Sequence, residues 1–118
     1  MSGKPEDPGT FLVVFVTAPD ADTASTIGAA LVEERLAACA NLVPGLTSIY
    51  RWEGRVHKDP EVLLLIKTRA ELFPALEARV RAMHPYKVPE IVALRIDAGS
   101  APYLRWIGEE TRPGGGAS

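Results

Sequence analysis

Apolar positions cluster along the chain in two rhythms. Phe11-Leu12-Val13-Val14-Phe15-Val16-Thr17 and Glu61-Val62-Leu63-Leu64-Leu65-Ile66-Lys67-Thr68 are nearly unbroken apolar runs. Their length, their β-branched and aromatic content and the flanking Pro19 and Pro60 predict strands rather than helices. Thr47-Ser48-Ile49-Tyr50-Arg51-Trp52 predicts a third strand. A polar connection, Glu53 to Pro60, joins it to Glu61–Thr68, with Gly54 and Pro60 as breakers. Ile91-Val92-Ala93-Leu94-Arg95-Ile96 predicts a fourth. Side chains alternate faces along a strand, so all but the Thr47–Trp52 strand are apolar on both faces, Arg95 excepted.

Between these runs the period becomes helical. Ala24, Ile27, Leu31 and Arg35 share one face with Gly28 and Val32 beside it, which predicts a helix over Ala21 to Arg35. Asp20 or Asp22 is placed to accept from free N–H groups of its first turn. Leu36 to Leu42, containing Cys39, is a short apolar segment that leads into Pro44-Gly45, a turn or bulge signal. Leu72, Leu76, Val80 and Met83 form a second stripe. That helix is expected to start near Ala70 or Glu71, leaving Pro74 in the first turn, and to stop at about His84 before Pro85. Thr68 and Glu71 match a capping box. His84-Pro85-Tyr86-Lys87-Val88-Pro89-Glu90 is a stiff connection, and Ser100 caps a last helix whose apolar side is Tyr103, Leu104, Trp106 and Ile107.

Strand, helix, strand, strand, helix, strand and an added helix give an α+β fold of the ferredoxin-like, split βαβ kind. Its antiparallel sheet carries both main helices on one face. About eight large side chains on the other face then lack a cover, at roughly 1.5–3 kcal/mol each if later buried. Such a face is unusual on a single chain. It predicts a closed cyclic oligomer of identical copies.

Composition adds limits. The 118 residues suit one domain, residues 10–111, with loose tails at residues 1–9 and 112–118. No apolar run approaches the roughly 20 residues of a membrane span, and no secretory signal is visible. The single cysteine, Cys39, fits a reducing compartment, so a cytoplasmic location is expected. A net charge of −2 argues against a nucleic-acid partner.

Five ordered motifs carry a resemblance. They are Thr17-Ala18-Pro19-Asp20, Arg35-Leu36-Ala37-Ala38-Cys39-Ala40-Asn41, Ser48-Ile49-Tyr50-Arg51-Trp52-Glu53-Gly54, Leu64-Leu65-Ile66-Lys67-Thr68 and His84-Pro85-Tyr86-Lys87-Val88-Pro89-Glu90-Ile91. In this order they resemble the CutA family of divalent-ion-tolerance proteins. The resemblance implies a ferredoxin-like homotrimer similar in architecture to PII signal-transduction proteins, with long hairpin strands pairing across subunits. It also implies a link to copper and heavy-metal tolerance and no established enzymatic reaction. Some copper-binding relatives carry Cys where this chain has Val16 and a second His where it has Met83.

Two groups of residues offer chemistry. His84, at a helix C-terminus, either binds a metal as neutral imidazole or caps the helix and packs under Tyr86. Met83 and Cys39 offer soft sulfur to Cu(I), although the apolar setting of Cys39 also suits a small core residue. Tyr50, Trp52, Lys67, Tyr86 and Glu90 form the second group. Across a subunit boundary they line a cleft in which Lys67 holds a small anionic ligand and Trp52 or Tyr86 stacks on it; otherwise they fix interface register. No phosphate-binding loop, nucleophile elbow or paired catalytic carboxylate motif is present.

Overall fold

The computed structural model describes residues 9–111, so the expected tails lie outside the described residues apart from Gly9. Its elements are β1 (Phe11–Ala18), α1 (Ala21–Glu33), β2 (Cys39–Trp52), β3 (Arg55–Arg69), α2 (Phe73–Met83), β4 (Ile91–Arg95) and α3 (Ala101–Glu110). The four strands form one antiparallel sheet in the order β2-β3-β1-β4. This is the expected split βαβ topology with an added helix.

β1 lies between β3 and β4, so both its edges are paired, and its helix-side face is buried. Leu12, Val14, Val16 and Ala18 alternate onto the helix side with Val62, Leu64 and Ile66. They pack there against Ala24, Ile27 and Leu31 of α1 and Leu76 and Val80 of α2. Gly28 lets α1 approach β2 closely, since a Cβ there would stand 3.2 Å from the Ala40 Cβ.

Helix ends follow identifiable chemistry. The Asp20 carboxylate accepts from the Thr23 N–H at 2.7 Å, and this bond holds its pKa below the usual aspartate range. α1 stops at Glu33, short of the expected Arg35, because Arg35 turns left-handed at φ 62°. The Arg35 N–H then donates to the Val32 carbonyl and the Leu36 N–H to the Leu31 carbonyl, a Schellman closure. The expected Thr68–Glu71 capping box does not form. The Thr68 hydroxyl turns inward and donates to the Leu36 carbonyl at 2.7 Å, and a 3₁₀ turn at Ala70–Leu72 leads into α2 instead. Ser100 stands at the N-cap of α3 but gives no side-chain bond to it.

The largest departure from expectation is the hairpin. The segment Glu53–Pro60 is not a polar connection; only Glu53 and Gly54 turn, both at positive φ (53° and 78°), and β3 begins at Arg55. That is the two-residue turn whose twist suits a hairpin. Pro60 sits inside β3, opposite Thr47. It is tolerated because β1 reaches only Val62, so beyond that point β3 has only β2 beside it. At Pro44-Gly45 the expected bulge is present, two residues opposing Val62 alone, with Gly45 at φ 83°. The result is a two-stranded arm, Leu46–Trp52 against Arg55–Glu61, that projects past the rest of the sheet.

α3 covers one end of the face opposite the main helices. Phe11 and Ala38 meet Ile107 there, with Ile96 and Leu104 around them. The Arg69 guanidinium donates to the carbonyl and hydroxyl of Thr111 and ties down the helix end. The rest of that face is uncovered: Val13, Phe15, Leu63 and Leu65 are half-buried, and Val92 and Leu94 are exposed. Among the described residues no helix is long and apolar enough to cross a membrane.

Candidate functional site

The extra residue at the bulge changes which β2 side chains share a face with which β3 side chains. Before it, Ala40 and Leu42 pair with Ile66 and Leu64 on the helix side. After it, Leu46, Ser48, Tyr50 and Trp52 pair with Glu61, Asp59, His57 and Arg55, on the side of the sheet that carries Leu63 and Leu65. Polar and aromatic groups are thereby gathered along one face of the arm, from Ser48 and Glu61 at its root to Trp52 beside the turn. The stiff segment after α2 closes over them and leaves a pocket of about 680 Å³. Tyr50, Trp52, Tyr86 and Glu90 line it, together with Glu61, Ser48, Glu53 and Lys87.

Glu61 forms its floor and is only 8% exposed. One carboxylate oxygen accepts from the Ser48 hydroxyl at 2.6 Å and the other from the Tyr86 phenol at 2.8 Å. Further along the arm the Tyr50 phenol donates to Asp59 at 2.5 Å, and its ring stacks on His57 with centroids 5.3 Å apart. Burial and then the Glu61 carboxylate push the Tyr86 phenol well above the ordinary tyrosine range. Because the folded form holds the Tyr86 proton more tightly than the unfolded chain, this contribution to stability is complete below the unfolded value of about 10. It is lost as pH rises from there through the folded value. In an alkaline titration followed by tyrosinate absorbance, Tyr86→Phe is expected to remove one phenol that ionises beyond about pH 10. Unchanged late ionisation in that variant would show that the Glu61 contact does not hold the proton.

Both ring nitrogens of His84 have hydrogen-bond partners within the chain. The residue is 7% exposed. Its Nε2–H donates to the Thr17 carbonyl at 2.7 Å, and its Nδ1 accepts the Tyr86 N–H at 3.1 Å. A carbonyl can only accept and an amide N–H can only donate, so these partners select the neutral Nε2–H tautomer and occupy both nitrogens. The ring also lies against Tyr86, centroids 4.7 Å apart. His84 therefore fixes the segment that carries Tyr86 and Glu90.

The other expected site residues are dispersed. Met83 is half-buried against the helix-side core and lines a small hollow with Pro85 and Asp22. Cys39 opens β2 at the far end of the sheet, half-exposed rather than in the core, with its thiol donating to Asn41 at 3.6 Å. Its register partner Lys67 pairs with Val13, four residues and roughly 14 Å of strand from Thr17, where His84 is held. The Lys67 ammonium donates to the same Asn41 oxygen. Within the chain, therefore, the three expected metal donors do not converge, and Lys67 stands apart from Tyr50, Trp52, Tyr86 and Glu90. Among the described residues no group of three or more His, Cys, Asp or Glu is placed to hold a metal ion. Glu61 and Ser48 escaped the reading of the sequence because their meeting depends on register beyond a bulge. The available signal was a single acidic residue opening an otherwise apolar strand.

Comparison with known proteins gives a consistent answer. Residues 12–110 match the family model for CutA1 divalent ion tolerance protein. The chain is 61% identical over 99 residues to the divalent-cation tolerance protein CutA of Thermus thermophilus, covering 84% of this chain and 96% of that protein. A solved structure of the divalent cation tolerance protein from the same species superposes with a TM-score of 0.85 at 59% identity, over 86% of this chain and 99% of the other. Human protein CutA is 48% identical over 110 residues, 93% of this chain and 62% of that protein. The matched region takes in every strand and helix that builds the pocket, and the chain belongs to the CutA1 divalent ion tolerance protein family.

Proposed function

We propose that the chain serves tolerance to divalent and heavy-metal ions, copper among them, as a cytoplasmic homotrimer that binds the ion weakly and catalyses no reaction. The observation that carries this reading is the uncovered apolar face beside a projecting, unflanked arm. Burying Val13, Phe15, Leu63, Leu65, Val92 and Leu94 against other copies is worth on the order of 10 kcal/mol gross. The half-exposed free thiol of Cys39 suits a reducing compartment. Metal affinity is weak for a local reason. His84 offers a lone pair only at Nδ1, and a metal there displaces the Tyr86 N–H, a loss of about 1–3 kcal/mol. Isothermal titration with Cu(I) and Cu(II) tests this, comparing the wild type with His84→Gln, whose amide can keep one donor and one acceptor in place. Weak binding heats that vanish in the variant are expected. Equal heats in the two proteins would remove His84 from metal binding.

A second reading, a PII-like signalling or scaffold trimer that holds a small ligand, is favoured by the pocket at the root of the arm. The anion expected on Lys67 does not carry over to the pocket within one chain, because Lys67 is not among its walls and three of its lining residues are carboxylates.

A further inference from the structure

The pocket at the root of the arm has a definite electrostatic character. Glu53, Glu61 and Glu90 line it against one cation, Lys87. Glu61 is more than nine-tenths buried, yet among the described residues it has no ion-pair partner. Its two hydrogen bonds, from Ser48 and Tyr86, use one acceptor position on each oxygen. A carboxylate offers about four such positions, so two remain. The two hydroxyls hold the carboxylate in place ahead of any ligand, which lowers the cost of ordering it on binding. The walls above it are the rings of Tyr50, Trp52 and Tyr86, whose faces are apolar and attract cations. Among the described residues no three His, Cys, Asp or Glu side chains are grouped here to hold a bare divalent ion. An ion with several N–H donors and an apolar body fits both the floor and the walls.

We propose that this pocket takes a small organic ammonium ion, a primary amine with an apolar body. Its –NH3+ group donates to Glu61, and its body lies against Tyr50, Trp52 and Tyr86. The proposal rests on the ligand-binding reading above and names the class of ligand. An anion is repelled by the same carboxylates, and a neutral alcohol of the same shape offers Glu61 one hydroxyl donor and no opposite charge.

The test uses the full chain in its native assembly, with three probes of similar shape: 2-phenylethylamine, 2-phenylethanol and 3-phenylpropanoate. Titration calorimetry at low salt is paired with tryptophan fluorescence, to which Trp52 contributes. The amine is expected to bind at least tenfold more tightly than the alcohol, and the propanoate more weakly than either. Glu61→Gln keeps the Ser48 and Tyr86 hydroxyls within reach of an amide and is expected to erase the tenfold preference for the amine over the alcohol. The comparison among probes on the wild type stands by itself if that variant folds poorly. Tighter binding of the propanoate would overturn the ammonium proposal while leaving a ligand site. Equal affinity for amine and alcohol would do the same. No binding of any probe would remove both readings. If no probe binds and Glu61→Gln also weakens self-association, the cation on Glu61 comes from a neighbouring copy, and the proposal falls.

Discussion

Leu94→Asp is expected to turn the assembly into single chains while the fold survives. Leu94 is 59% exposed in one chain and sits on β4 opposite Val13, on the sheet face that α1 and α2 do not cover. In an isolated chain the new carboxylate stays in water, and a surface change of this kind alters stability by about 0.5 kcal/mol. In the proposed trimer the same position would be buried against another copy, where an unpaired carboxylate costs several kcal/mol. The proposed closed ring would have three equivalent interfaces, so the penalty would be felt at each of them. Sedimentation across a range of concentrations reads the outcome: three chain masses for the wild type and one for the variant, with an unchanged far-ultraviolet circular dichroism spectrum. A variant that keeps the wild-type mass would take this face out of the interface.

His84→Ala is expected to destabilise the chain by about 3 kcal/mol. The substitution strips the Thr17 carbonyl and the Tyr86 N–H of their partner together and removes a ring from a closed space. A buried polar group left unpaired costs about 1–3 kcal/mol, and two are created here. The effect reaches the pocket, because His84 ties the segment bearing Tyr86 and Glu90 to the end of β1. Urea unfolding measures the loss, and hydrogen exchange at the Tyr86 amide should quicken more than exchange in β1. His84→Gln should recover roughly half of the stability, since its amide supplies a donor and an acceptor. A His84→Ala midpoint within experimental error of the wild type would show that the imidazole is not the peg the hydrogen bonds describe.

These two expectations arise from different kinds of information. The uncovered face was legible in the order of residues: Val13 and Phe15 alternate with Val14 and Val16, and Leu63 and Leu65 with Leu64 and Ile66, so a sheet with helices on one side had to leave apolar groups over. The existence and order of strands and helices were legible for the same reason, since each depends on a period of two or about 3.6 residues within a short window, although β2 and β3 begin earlier than expected, at Cys39 and Arg55. The Asp20 cap and the Pro44-Gly45 bulge likewise depend on neighbours a few residues away. His84 at the end of α2 was placed correctly too, but its hydrogen bond at 2.7 Å to Thr17, 67 residues earlier in the chain, was not legible in the order of residues.

Four features were decided only when distant segments met. The turn at Glu53–Gly54 shortened the expected connection to two residues, because ladder bonds between Arg55–Pro60 and Thr47–Trp52 outweigh the polar character of those segments. The Thr68 hydroxyl, itself buried, bonds the distant Leu36 carbonyl instead of forming the local cap. Lys67 and Cys39 moved to the far end of the sheet from His84 once register was set. The Ser48–Glu61–Tyr86 cluster joined three segments across a bulge that shifts every later side chain of β2 to the other face. Local pattern tells which face of an element is apolar; only the pairing of strands far apart in the chain tells which polar groups share a pocket.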